Sequence, residues 1–364
     1  QDINNGDNSG SGANAGTVLV SLLSPFSGNT YLKNIYAFGG NGSTGGNGSN
    51  ITIRAANLSL FEPIIFSYGG AGIDGTLNGG GFGGSIDINA TTLNMSIASI
   101  NASGRPSRGD AGKISISAVT GVIMNSSIFA RGGNFLSTMA TGTSAGGSIN
   151  ISFTTGNISL NQLSTSGGTS SGTTNTGIGG NITLSTDGYV NITNITSNGG
   201  QETGTQTLTG GYGGKITVNA TTDVRASIIN SSGGWAKNAG AGGNILINTS
   251  GIIYAERVSA KGGDGSAGSA GTGGTIILSS HVSFVNVTTV AQSFGGDDTN
   301  MGPPTGNGAN GANIIIEGTS IFVSPSTLDA KGGDGAASGG TGGNAGSTKQ
   351  LYCTTLSNAS TTYD

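Results

Sequence analysis

A Gly-Gly pair recurs along the chain at nearly even intervals, and this spacing restricts the possible folds more than any other feature. Gly104-Arg105 is the one imperfect copy among ten, and the other nine pairs begin at Gly39, Gly69, Gly132, Gly167, Gly199, Gly233, Gly262, Gly295 and Gly332. The mean interval is about 33 residues, a period typical of solenoid repeats. The sequence therefore predicts ten copies of one supersecondary unit.

Two columns of residues precede the glycine pairs. Four positions before each pair the residue is aliphatic in every repeat: Ile35, Ile65, Ile100, Ile128, Leu163, Ile195, Ile229, Val258, Ala291 and Leu328. Two positions before each pair the residue is small: Ala37, Ser67, Ala102, Ala130, Thr165, Ser197, Ser231, Ala260, Ser293 and Ala330. The aliphatic column predicts a buried strand position, and the small column predicts a tight inner corner.

Each repeat also opens on a strand with apolar residues two apart, as in Ile51/Ile53 and Ile182/Leu184. The same face recurs in the same order in every repeat, so the strands stack in parallel and do not form hairpins. Parallel connections are almost always right-handed. We therefore predict an all-β fold, a right-handed parallel β-helix (β-solenoid) of about ten coils with the Gly-rich segments as loops on one side. At ~4.8 Å per coil the rod would be about 48 Å long.

The repeat pattern divides the chain into three parts. Residues 1–16 have no apolar pattern and are predicted to form an exposed N-terminal arm, residues 17–343 form the solenoid, and residues 344–364 form a C-terminal cap or an added strand. The end of a solenoid leaves backbone N–H and C=O groups unpaired, and such an edge is a template for another chain. Head-to-tail assembly with further copies of the chain is the expected result.

Composition excludes several classes of partner. Glycine makes up 72 of 364 residues, but the 34% of hydrophobic residues alternate regularly, which argues against a disordered chain. Only 8% of residues are charged, 13 basic against 17 acidic, so we expect neither nucleic acid nor anionic lipid as a partner. No apolar run approaches the length of a membrane span. The start at Gln1 predicts a mature secreted protein whose leader has been removed, with a trimmed chain as the alternative.

Acceptor sequences for N-glycosylation, Asn-x-Ser/Thr, occur about twice as often as the composition would give by chance. There are eighteen: Asn41, Asn47, Asn50, Asn57, Asn89, Asn94, Asn101, Asn125, Asn150, Asn157, Asn181, Asn191, Asn194, Asn219, Asn230, Asn248, Asn286 and Asn358. Outward Asn and Thr around an inward Ile arise from strand alternation alone, so patterning is the competing explanation. The sequence predicts heavy glycosylation of an extracellular protein.

The outward position between the paired apolar residues changes character along the chain. It is polar in the earlier repeats and becomes Leu246, Ile277 and Ile315 in the last three. A strand that is apolar on both faces is generally buried on both. We predict that this apolar strip is covered, either by the chain itself or by a neighbouring subunit.

Metal binding and catalysis have weak sequence support. The motif Gly-Gly-Asp-Gly occurs twice, but without a nine-residue period its glycines are best interpreted as turns. Weak calcium binding at Asp264, Asp334 or Asp297/Asp298 stays open, and no metal site or cofactor is predicted. The pair Asp297-Asp298 and the lone His281 give no catalytic constellation, so we expect no enzyme. The only cysteine, Cys353, allows no internal disulfide, and its role is open.

Four aromatic residues adjoin the glycine pairs: Phe38, Tyr68 and Phe294 before them and Trp235 after one. Packing against neighbouring Gly-rich segments is the favoured interpretation, and stacking on a sugar is the alternative.

The pattern Gly-Gly-x-Ile-x-Ile followed by Ile-x-Ala-x-Gly-Gly resembles Gly-rich parallel β-helix proteins of cell surfaces, including adhesin-like and filamentous-haemagglutinin-like stalks. The resemblance covers residues 17–343, and its motifs are structural. It implies extracellular display, adhesion or scaffolding, with no catalytic residues to transfer. We therefore expect a secreted, glycosylated structural protein, the subunit of a filament or surface layer. A monomeric adhesin or carbohydrate-binding stalk is the first alternative, and a polysaccharide-degrading β-helix enzyme is a remote one.

Overall fold

The chain folds into an all-β parallel solenoid, as predicted. The computed structural model describes residues 11–22, 30–72, 79–106, 109–134, 144–171, 175–203, 209–266, 268–299, 306–323, 328–337 and 339–346, and the backbone of 349–355. Within these ranges all regular structure is β-strand and there is no helix. About ten coils stack along one axis, which confirms the predicted coil number; the hand of the coil stays a prediction.

Eleven strands form the first column of the solenoid, one above the other. They are β1 (Val18–Leu22), β4 (Ile51–Phe61), β6 (Ile86–Ser96), β8 (Ile114–Phe129), β9 (Ile149–Ser164), β10 (Ile182–Thr186), β12 (Ile216–Ala220), β14 (Ile245–Thr249), β16 (Ile276–Ser280), β18 (Ile314–Val323) and β20 (Lys349–Thr355). Five of these strands are longer than the rest and continue past the first corner, so that they also supply the second segment of their coils: β4, β6, β8, β9 and β18.

The remaining strands supply the second and third segments of the coils. They are β2 (Thr30–Tyr31), β3 (Asn34–Tyr36), β5 (Ile64–Phe66), β7 (Ser99–Asn101), β11 (Val190–Thr196), β13 (Val224–Asn230), β15 (Ile253–Ser259), β17 (Phe284–Gln292) and β19 (Leu328–Asp329). Every described pairing is parallel, and equivalent residues stand opposite one another, as in Ile182 with Ile216. Equivalent residues of successive coils therefore lie one above the other, as the sequence periodicity requires.

The two sequence columns lie inside the tube. The aliphatic column is fully buried from Ile65 to Ala291, and only its terminal members, Ile35 and Leu328, are half-buried. The small column is buried in every coil, which confirms the tight corner. A larger side chain there would collide with the backbone of the next Gly-rich segment, because the Ser293 hydroxyl already donates a 2.5 Å hydrogen bond to Gly274 O.

The Gly-rich segments form a hydrogen-bonded layer on one side of the rod. Each coil contributes one segment after its third strand and one before the next first strand, and the two segments bond to each other in a continuous zigzag. Gly200 N donates to Gly177 O at 2.8 Å, Gly211 N to Gly200 O at 3.2 Å, and Gly234 N to Gly211 O at 2.8 Å. The Gly-rich segments lie on one side of the rod, as predicted, but much of this glycine layer consists of hydrogen-bonded, closely packed backbone and not of separate loops.

Glycine is required in this layer because the backbones approach too closely for a Cβ atom. A Cβ added at Gly70 would overlap the carbonyl oxygen of Gly40, and one added at Gly234 would overlap that of Gly200. A few zigzag positions do carry a side chain: Arg105 N donates to Gly81 O at 3.3 Å, and Ala309 O accepts from Gly333 N at 2.8 Å. The regular Gly-Gly spacing is thus a packing requirement.

The two ends of the chain continue the stack. Gly12 and Ala15 donate backbone hydrogen bonds to Thr44 O and Asn47 O, so residues 11–16 lie against the Gly-rich segment that leads into β4; residues 1–10 lie outside the described residues. At the other end β20 pairs in parallel with β18, with Lys349 opposite Ile314. Whether residues 344–364 as a whole act as a cap stays a prediction.

We predict that Gly234→Ala lowers the free energy of unfolding by about 1–3 kcal/mol, because the new methyl group must push two coils apart. Gly16→Ala is the matched control, since no atom lies within 4 Å of a Cβ at that position. Its change should stay within about 0.5 kcal/mol. Urea unfolding followed by circular dichroism measures both variants, and equal destabilisation of the two would contradict the packing argument.

Candidate functional site

Side-chain oxygens on the surface of the rod connect each coil to the next. Asn50 Oδ1 accepts a hydrogen bond from Ser85 N at 3.2 Å, and Asn181 Oδ1 accepts one from Lys215 N at 3.0 Å. Aspartates do the same, as in Asp110 Oδ1 with Ala145 N at 2.7 Å. These side-chain ladders supplement the strand ladders at the edges of the sheets, where the backbone turns.

The glycosylation acceptors lie on the outside of the solenoid. Asn358 is outside the described residues, and each of the other seventeen is exposed or half-buried. The exposed ones are Asn41, Asn50, Asn89, Asn94, Asn125, Asn181 and Asn191. In all seven the residue after the Asn is buried, and where the strand is regular, as at Asn89, Asn94 and Asn191, the Asn and the Ser or Thr project on the same side of the chain. This geometry presents the whole acceptor triplet to an enzyme. Their glycosylation stays a prediction.

Two acceptors differ from the rest. The amide oxygens of Asn194 and Asn248 are buried and have no hydrogen-bond partner in the structure. A glycan is attached to the amide nitrogen, and the buried oxygen of the same planar group restricts how that nitrogen can turn toward an enzyme. Strand patterning, the competing explanation for an acceptor triplet, therefore fits these two best.

The apolar strip is stacked as the repeat predicts. Leu246 stands opposite Ile277, and Ile277 stands opposite Ile315. All three are half-buried, as are Thr183 and Thr217 at the same outward position of earlier coils. Their neighbours in the ladder account for that degree of burial, so cover by another part of the chain or by a neighbouring subunit stays a prediction.

The candidate calcium residues form an aspartate ladder at one corner of the last three coils. Asp264 Oδ1 accepts from Asp297 N at 3.1 Å, and Asp297 Oδ1 accepts from Asp334 N at 2.8 Å. Lys261 Nζ lies 3.1 Å from Asp264 Oδ1, and Asp298 is buried. These carboxylates thus support the backbone of the following coil, the role that asparagines have elsewhere.

The remaining candidates for chemistry are dispersed. His281 is exposed at a strand end, and its backbone N–H donates to Thr249 O at 2.9 Å. Among the residues that the structure describes, no three His, Cys, Asp or Glu side chains come together as a metal site would require. The side chain of Cys353 lies outside that part of the chain. Burial lowers the pKa of Arg131, whose guanidinium lies 4.6 Å from the ring of Phe129.

The aromatic residues form a cluster that sequence reasoning identified only in part. Phe38 and Tyr68 stack on each other, with ring centroids 4.6 Å apart and an interplanar angle of 16°. Tyr36 and Phe66 complete the cluster, and the Arg105 guanidinium lies 4.1 Å above the Tyr68 ring. Strand alternation could have identified Tyr36 and Phe66, whereas the reach of the long Arg105 side chain has no sequence signal. Phe294, predicted with them, contacts Lys261 Nζ at 4.8 Å.

The first coil exposes apolar residues at its free edge. Leu19 is 67% exposed and Tyr31 is 73% exposed, while Val18 and Val20 are only half-buried. In the second coil Ile51 and Ile53, at the same two core positions, are 0% exposed. Of the described strands, only β4 pairs with β1. At this edge, residues at core positions are therefore only partly covered.

No protein family, curated protein or solved structure matches this chain. No helix long and apolar enough to cross a membrane occurs in the ranges that the structure describes. The geometry of the chain itself therefore carries the functional argument.

We predict that the seven exposed acceptors carry glycans in the native protein and that Asn194 and Asn248 do not. An exposed triplet is accessible to a transferase, whereas the other two have embedded amide oxygens. Glycopeptide mass spectrometry of protein purified from its source measures occupancy at each site. An intact mass near 35.3 kDa would contradict the prediction altogether.

Proposed function

We propose that this chain is a secreted, N-glycosylated structural protein that forms the subunit of an extracellular filament or surface layer. Copies join end to end, so that the solenoid of one continues into the solenoid of the next. The protein acts as rigid material, and it has no catalytic role.

The open edge of the first coil carries this proposal. Burying Leu19, Leu22 and Tyr31, which are 67%, 45% and 73% exposed, would gain hydrophobic free energy in proportion to the area covered. Coils within the stack already show how that edge can be covered, since β12, β14 and β16 pack on one another in a constant register. In the proposed polymer, the backbone edge of β20 of a second copy, at the other end of its stack, pairs with this edge.

The surface chemistry of the rod also supports an extracellular polymer. With 8% charged residues and a net charge of −4, copies repel one another weakly and do not attract nucleic acid. Hydrophilic glycans on the exposed acceptors would keep the sides of neighbouring rods apart while leaving the ends free. Association is thereby directed to the ends.

Electron microscopy of native material tests the proposal directly. Filaments or sheets whose subunit repeat equals the length of one solenoid are expected. Isolated short rods would contradict the proposal and favour the alternative, a monomeric adhesin or stalk.

We predict that Leu19→Pro prevents the assembly of the purified chain. Val18 N donates to Asn50 O in the second coil at 3.0 Å, and successive residues of a strand direct their N–H groups to opposite sides. Leu19 N–H therefore points to the free edge, where proline removes the donor while sparing the bonds to β4.

Leu19→Thr is the matched control, because it removes the same apolar side chain but keeps the backbone donor. It should weaken assembly less than Leu19→Pro, and both variants should unfold at the same urea concentration as the original chain. Sedimentation velocity over a range of concentrations measures assembly. Equal assembly by the proline and threonine variants would exclude strand pairing at this edge.

A further inference from the structure

The aromatic cluster of the first two coils forms a layered stack. Phe38 lies on Tyr68, and the Arg105 guanidinium lies on the opposite face of the same column, 4.1 Å from the Tyr68 ring. Arg105 Nε donates to Gly69 O at 3.2 Å, which holds the guanidinium over the ring. Arg105 of the third coil thus covers one side of the Tyr68 ring, and Phe38 of the first coil forms the other end of the stack of rings.

A second pair of rings widens this surface. Tyr36 stands opposite Phe66 in the ladder of β3 and β5, and its ring centroid lies 5.1 Å from that of Phe38. Tyr36 is 44% exposed and Phe38 is 37% exposed. Inward neighbours on the same strands, such as Ile65, lie in the core, so the backbone holds the rings in place. The result is a preorganised aromatic platform.

Polar groups surround the platform in a groove of about 630 Å³. The side chains of Asn34, Asn41 and Thr17 line it together with the backbone of the first glycine pair. Asn41 is held by the hydrogen bond from Ala71 N to its Oδ1 at 2.8 Å. A volume of this size falls in the range of small-ligand sites, in which flat apolar walls are combined with a few fixed polar groups.

We propose that this groove binds a neutral oligosaccharide, with a pyranose ring stacked on Phe38 and flanked by Tyr36, whose ring is tilted 47° to that of Phe38. The axial C–H groups of a sugar ring form an apolar face that matches an aromatic ring, and its hydroxyl groups match the amide of Asn34 and the hydroxyl of Thr17. Both chemistries occur side by side in the groove, and the platform needs no rearrangement to receive the sugar.

The charge of the groove selects against other ligands. Arg105 is the only ionised side chain that lines it, and that guanidinium is already engaged with Tyr68 and Gly69 O. A nucleic acid requires several cations to neutralise its phosphates. A purely apolar partner would cover the Asn34 amide without offering it a hydrogen bond. A neutral, hydroxyl-rich ligand needs no cations and can still form hydrogen bonds with the polar groups of the groove.

Isothermal titration calorimetry tests the proposal on the monomeric fraction of the full chain, produced without glycosylation. The probes are maltohexaose, cellohexaose, mannohexaose and hexa-N-acetylchitohexaose. We expect at least one of them to bind, and we expect Phe38→Ala to weaken that binding about ten-fold or more, which corresponds to about 1.4 kcal/mol. Phe38→Trp, which keeps an aromatic face, should restore it.

Phe322→Ala is the matched control, since Phe322 is 41% exposed and contacts Phe284 in a distant coil. It should bind as the original chain does. Binding of none of the four sugars at about 1 mM, or an equal loss in Phe38→Ala and Phe322→Ala, would overturn the proposal. The measurement uses monomers, so its failure is distinct from a failure of end-to-end assembly.

Discussion

The close approach of backbone to backbone in the glycine layer is the constraint on which the rest of the structure depends. Two segments per coil meet at positions most of which leave no room for a Cβ atom, and each bonds to the other from one coil to the next. A chain with this much glycine loses a great deal of conformational entropy on folding. Each hydrogen bond returns only about 0.5–1.5 kcal/mol, so the layer must be continuous to hold the coils closed.

The repeated columns made the core predictable. Aliphatic and small positions at a constant distance from each glycine pair could be assigned to the inside of a parallel solenoid because strand alternation leaves a direct sequence signature. The hydrogen bonding between the two glycine segments could not be predicted, since side-chain types do not indicate which carbonyl group a backbone N–H will bond. Gly211 and Gly234 look like turn glycines in sequence, and the structure joins them by a hydrogen bond.

The candidate sites were predictable to a smaller extent. Triplets such as Asn181-Ile182-Thr183 lie outside with their middle residue inside, as alternation requires. The embedding of the Asn194 and Asn248 amide oxygens depends on neighbours from other coils, which no local pattern reveals. The aromatic platform likewise combines rings from two coils with a cation from a third, a contact that arises only once the coils are stacked.

The surface therefore divides its roles by position. Its long sides present amides and hydroxyl groups, its first coil presents exposed apolar residues, and its first two coils add the aromatic groove. Each role uses side chains that the core does not need. The repeated coil can consequently vary on its outside without altering the stack.

The side-chain ladders give the rod a direction. Asn50, Asn181 and Asp264 each accept a hydrogen bond from the coil that follows, and most asparagine and aspartate ladders along the rod do the same. A fibre of rods joined in line would inherit this polarity, and its two tips would differ chemically. Subunits would then add to the tips at unequal rates, so that one tip could be anchored while the other grows.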